Sequence, residues 1–79
     1  MREIEAFALK KFDSLAEEDK KLVLDTLTEM EIFLAKHKFT AEQIEKVLYN
    51  LVYFSRKNDI YSFLSEFYIA KNDPRDLLR

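Results

Sequence analysis

Four tyrosines are the side chains in this chain whose type and spacing point to a task. Tyr49 and Tyr53 are four residues apart and Tyr61 and Tyr68 seven apart, so each pair shares one side of a helix. A phenol carries an apolar ring and a hydroxyl that wants water or a partner. One reading is a rim of half-buried rings at the core boundary. The sharper one is an aromatic patch facing a protein or a membrane, where tyrosine is enriched. Lys71, Arg75 and Arg79 lie close by in sequence. Each would add up to about 1 kcal/mol of attraction to an anionic leaflet.

Covalent chemistry finds no comparable set. His37 is the only histidine and cysteine is absent, so neither a thiolate site nor a metal-spaced histidine pair can be drawn. Lys36-His37-Lys38 falls where a helix should end, and a cation there suits the helix dipole. Asp25 and Glu29 share a helix face, but Lys21 precedes them, which describes a solvated charged face. Ser14, Ser55, Ser62 and Ser65 have no base in sequence context. The expectation is a protein that is not an enzyme and holds no cofactor or metal.

These side chains must be positioned by helices. The chain of 79 residues has no glycine and one proline, yet nearly half of it is apolar. Without glycine there is no phosphate-cradling loop, and tight hairpins are scarce. The pattern predicts helices over 2–12, 15–37, 41–57 and 60–71. Ser14-Leu15-Ala16-Glu17 and Thr40-Ala41-Glu42-Gln43 read as capping boxes for the second and third. Asn58-Asp59 supplies the next break and cap, and Asp73-Pro74 opens a last turn or a frayed end over 72–79. Short connections between long helices favour antiparallel neighbours. The expected fold is all-α, a single antiparallel up-down four-helix bundle with a short C-terminal turn or helix. Its core would hold Leu22, Leu27, Met30, Phe33, Ile44, Leu48, Leu51, Phe63 and Phe67.

Lys plus Arg is 13 and Asp plus Glu is 15, a net charge of −2. Nucleic-acid binders usually carry a basic excess, so none is expected as a partner. A helix-turn-helix reading of the third and fourth helices is weak, because the fourth offers apolar and tyrosine side chains where a recognition helix shows Arg, Lys, Asn or Gln. The first residues carry acids and no apolar run, unlike a signal peptide. No stretch approaches the ~20 apolar residues of a membrane span. The expectation is a soluble, cytoplasmic protein.

One family resemblance spans roughly residues 15–60. Val23-Leu24-Asp25-Thr26-Leu27, Leu34-Ala35-Lys36-His37-Lys38-Phe39, Leu48-Tyr49-Asn50-Leu51-Val52-Tyr53-Phe54 and Asn58-Asp59-Ile60 carry it. This pattern resembles the immunity proteins of pediocin-like (class IIa) bacteriocins. In that family a similar long helix ends in a Leu-x-Lys-x-Lys-aromatic segment. A helix with a similar Leu-x-Asn-x-x-Tyr-Phe run follows. Lys36, Lys38, Asn50 and Tyr53-Phe54 are the less generic matches. The resemblance implies a non-catalytic four-helix bundle in the producer's cytosol, peripheral at the inner face of the membrane. It implies mannose-permease membrane components, alone or with bound bacteriocin, as the partner. The family's C-terminal half is associated with choosing the bacteriocin, and family members often carry a longer segment after the fourth helix. Specificity is then expected in the third and fourth helices and in 72–79, with Tyr49, Tyr53, Tyr61, Tyr68, Lys71, Arg75 and Arg79 as partner-binding residues. The rival readings are a small helical interaction module, or a phage- or antitoxin-like regulator. A homodimer is open under each.

Overall fold

The computed structural model describes residues 2–78. Four α-helices follow one another: α1 (Glu3–Lys11), α2 (Glu17–Lys36), α3 (Ala41–Phe54) and α4 (Ile60–Asn72). A 3-10 helix over Pro74–Leu78 closes the described chain, and no strand occurs among the described residues. The fold is all-α and four-helical.

Consecutive helices run in opposite directions. Arg2, before α1, bonds Glu31 near the end of α2. Phe7 meets Tyr49, and Lys11 reaches the carbonyls of Val52 and Tyr53, so α1 and α3 lie parallel and in step. Lys71 late in α4 bonds Glu29 late in α2, so those two are parallel as well. Helices α2 and α3 also pack directly on each other, α1 packs on both of them, and α4 packs on both of them. The cross-section is therefore a rhombus with α2 and α3 on its short diagonal and α1 and α4 at its outer corners. Principal extents of 34 × 24 × 18 Å match that flattened outline.

Local chemistry explains the boundaries, including two that differ from the sequence expectation. Helix α2 begins at Glu17, with Ala16 as its N-cap and no side-chain cap bond. Ser14 is not the cap. Its hydroxyl lies 3.3 Å from Asp13, and its amide donates to the Asn58 side chain at 3.0 Å. The cause is the core: Phe12 is fully buried and Leu15 packs against it, joined by a turn bond from the Leu15 amide to the Phe12 carbonyl. Holding both side chains inward delays the helix by two residues. Glu17, Glu18 and Asp19 then face the positive end of its dipole. Thr40 forms the expected reciprocal box with Gln43, at 3.1 and 3.0 Å. Asp59 caps α4 by accepting the Ser62 amide at 3.1 Å.

Helix α3 ends at Phe54 rather than at 57. Its last carbonyls are taken by side chains: Ser55 donates to Leu51 at 2.8 Å, and Lys11 donates to Val52 at 2.5 Å and to Tyr53 at 2.8 Å. Partial burial lowers the Lys11 ammonium's pKa below its ordinary value. Helix α2 closes differently. Lys38 takes φ 63°. The Phe39 amide bonds the Leu34 carbonyl and the Lys38 amide bonds the Ala35 carbonyl, both at 3.1 Å. This is the Schellman arrangement, usually built on glycine, made here with lysine.

The core holds Val23, Leu27, Met30, Leu34, Leu48, Leu51 and Phe63, with Phe12 set edge-on to Phe63 at 5.5 Å. Phe33, Ile44 and Phe67 are only partly buried, packed against it from the side. Leu22 is 40% exposed, contrary to expectation. It lies one helical step, about 100°, from Val23 and so outside the buried stripe. Leu77 of the 3-10 helix is buried, which makes the C-terminal turn part of the core rather than a frayed end.

Replacing Phe12 or Phe63 by alanine is expected to cost about 3–5 kcal/mol, enough to abolish cooperative unfolding of so small a domain, while Leu22→Ala costs under about 1 kcal/mol. The same urea titrations should find Thr40→Ala destabilised by about 0.5–2 kcal/mol and Ser14→Ala within about 0.5 kcal/mol of the parent.

Candidate interaction surface

The polar groups that could do covalent chemistry are dispersed. His37 is exposed at the end of α2, its ring 4.4 Å from that of Phe33. Ser55 and Ser62 serve helix ends, the second by accepting the Arg56 amide at 2.9 Å. Glu29 bonds Lys71 on a neighbouring helix at 3.3 Å. Among the described residues no three His, Asp or Glu side chains gather as metal ligands.

The two tyrosine pairs occupy different parts of the surface. Tyr49 is half-buried against the Phe7 ring, at 5.4 Å. Desolvation raises the pKa of its phenol, and Glu3 and Glu45 push it the same way. Tyr53 is exposed, with the Lys11 ammonium 5.9 Å from its ring and the Phe54 ring 5.3 Å away. Both therefore lie on the shoulder of α3 next to α1. The opposite shoulder carries Asn50, whose amide bonds the Leu77 carbonyl of the C-terminal turn. Tyr61 and Tyr68 are 81% and 70% exposed on α4, at the far corner of the rhombus. The expected single patch is thus two patches, because α1 and α4 flank α3 on opposite sides. Neighbouring apolar exposure differs too: Phe7 and Phe54 accompany the first pair, and Ile69 follows Tyr68 on α4.

The cations expected to face a membrane are turned partly onto the protein itself. Lys71 pairs with Glu29 and lies 5.4 Å from the Phe67 ring and 5.9 Å from that of Phe33. The Arg75 guanidinium lies 5.0 Å over the Phe39 ring. Arg79 lies outside the described residues. Such contacts contribute about 0.5–1 kcal/mol each at exposed sites. The 3-10 helix is thereby held at three points: Arg75 on Phe39, Leu77 in the core and the Leu77 carbonyl on Asn50.

Two features of the surface escape sequence reasoning. Phe7 falls on the apolar face of α1 by spacing, yet it is 37% exposed at the α1–α3 seam. Lys11 lies on the same face, where a cation reads as a helix-end residue. Only the parallel register of α1 and α3 shows that it closes another helix. No helix among the described residues is long and apolar enough to cross a membrane. Comparison with family models, curated proteins and solved structures returned no match for this chain.

Asn50→Ala removes the bond to Leu77 and is expected to cost about 0.5–1.5 kcal/mol. Hydrogen exchange should report the loss locally, with faster exchange confined to the amides of 75–78 while α1 to α4 keep their protection.

Proposed function

We propose that this chain is an immunity protein of the pediocin-like bacteriocin type. It acts without catalysis, from the cytosolic side, by binding mannose-permease membrane components alone or with bacteriocin. Contact with the inner face of the membrane is peripheral in this reading.

The observation that supports it is that two of the matched segments, at the end of α2 and in the middle of α3, each send a residue to the C-terminal turn. Leu34, Lys38 and Phe39 close α2, and Phe39 carries Arg75 of the C-terminal turn. Asn50 bonds Leu77 of the same turn. Phe39 and Asn50, both within matched segments, thus help to hold the C-terminal turn against α3. In the family that end of the chain is tied to the choice of bacteriocin. On α4, Tyr68 and Ile69 expose a ring and an aliphatic side chain in the last turns before it, and Tyr61 exposes a ring at the other end of the helix. Rigid aromatic rings of this kind supply contact area at small entropic cost.

Expression in a strain sensitive to class IIa bacteriocins, followed by a challenge with a panel of those peptides, tests the reading. Protection against at least one peptide is expected. A Tyr61→Ala/Tyr68→Ala double variant should lose it while keeping its helical circular dichroism. Absence of protection against every peptide, together with no co-purification of mannose-permease components, would leave a general helical interaction module as the better description.

A further inference from the structure

The seam between α1 and α3 carries a charge pattern that its own elements create. Each helix has acids at its start and bases at or after its end, as the helix dipole favours. In α1 these are Glu3 and Glu5, then Lys10 and Lys11. In α3 they are Glu42 and Glu45, with Arg56 and Lys57 following. Antiparallel neighbours would interleave the signs. Helices α1 and α3 are parallel, with Phe7 beside Tyr49 and Lys11 beside Tyr53, so like charges stack at each end.

Both ends open into grooves. At the acidic end, a groove of about 540 Å³ has Ile4, Ile44 and Leu48 among its lining, with Glu3, Glu31 and Glu45. Arg2 also lines it, but Arg2 is bonded to Glu5 and Glu31. At the basic end, a groove of about 470 Å³ is lined by Phe7, Tyr53, Lys10, Lys11 and Lys57. Lys11 is committed to the end of α3. Among the described residues, Glu3, Glu45, Lys10 and Lys57 form no ion pair within the chain. Lys46, the residue after Glu45, lines neither groove. The Phe7–Tyr49 ring pair lies between the two ends, and Phe7 and Tyr53 carry the apolar surface into the basic groove.

We propose that this face is where two copies of the chain meet. A two-fold axis through the Phe7–Tyr49 pair reverses one face on the other. Lys10 and Lys57 of one copy then meet Glu3 and Glu45 of the second, twice over. A face with acid at one end, base at the other and apolar rings between is complementary to itself under that operation. Two-fold dimers need this self-complementarity. Exposed ion pairs contribute little individually, about 0–1 kcal/mol. Their part is to set orientation, while the rings supply the buried area. A standard interface takes about 800 Å² from each partner, roughly 15% of this chain's 5204 Å² of accessible surface. This inference stands apart from the immunity reading, because it requires neither a bacteriocin nor a membrane.

Sedimentation equilibrium of the full chain tests it. The mass should rise with concentration from 9.5 kDa toward twice that value, and 0.5 M salt should weaken association several-fold by screening. Lys10→Glu/Lys57→Glu makes both ends acidic, and Glu3→Lys/Glu45→Lys makes both ends basic. Each double variant, checked for helicity, should associate at least tenfold more weakly than the parent. Mixing the two should restore a one-to-one complex near the parent's affinity. A parent that stays monomeric at about 1 mM overturns the proposal, as does association indifferent to salt or a mixture that stays monomeric. So does a monomer that instead binds vesicles of anionic lipid through Lys10 and Lys57, which would assign the face to a membrane. Should either double variant fail to fold, the parent's concentration and salt dependence decides alone.

Discussion

A chain without glycine must close every helix by other means, and those means determine much of this structure. Glycine ends helices cheaply because it accepts the left-handed conformation. Here Lys38 and Asn58 occupy that region instead, at φ 63° and 56°. An ordinary L-residue there costs about 1–2 kcal/mol, which its surroundings must offset. Asn58 belongs to the residue type that tolerates it best, and its side chain accepts the Ser14 amide from the opposite loop. Around Lys38, the two Schellman bonds and the partly buried Phe39 hold the turn. At the end of α3 the orphan carbonyls are met from a distance by Lys11 of α1. Helix closure, normally a local matter, has become tertiary structure.

That substitution has a consequence for the surface. A lysine in the last turn of α1 can cap α3 only when the two helices run the same way and end at the same level. Parallel packing then places both acidic starts together and both basic ends together. The charge separation on the α1–α3 face thus follows from how α3 is closed. The chain as a whole carries a net charge of only −2, so composition conceals a face that is strongly polarised along its length.

Much of the fold could be read from the residues, and the failures share a cause. The all-α class, the Thr40 box and the Asp59 cap rest on local chemistry, where i to i+3 spacing is sufficient information. The Ser14 box has the same local pattern and failed, because burial of Phe12 and Leu15 set the turn first. Leu22 was misplaced because a stripe a third of a circumference wide admits residues at its edge. Leu77 and Lys11 were out of reach of any local rule, since their roles depend on which helices become neighbours. The tyrosines show the limit most plainly. Spacing along each helix gave the pairs, but whether the pairs meet depends on the rhombic packing, which separates them.

The residues around the C-terminal turn show how a conspicuous sequence feature can have a structural job. Lys38 and Asn50 stand out from generic bundle leucines, and each has a structural role in view, as does the matched Phe39: the first closes α2, the second bonds Leu77 and the third carries Arg75. Those roles alone would account for their presence in any chain of this shape. Yet what they secure is an exposed segment, with Arg75 and Asp76 on the surface above a buried Leu77. A segment already fixed at three points loses little conformational freedom on meeting a partner, so its contacts convert more fully into affinity. In the immunity reading the anchoring residues and the recognising ones would overlap only at Arg75, which stacks on Phe39. The first face inward along α3 and the α2–α3 turn. The second face outward from α4 and the turn that follows it. A partner that reads this end would be selected by the second set while its affinity depended on the first.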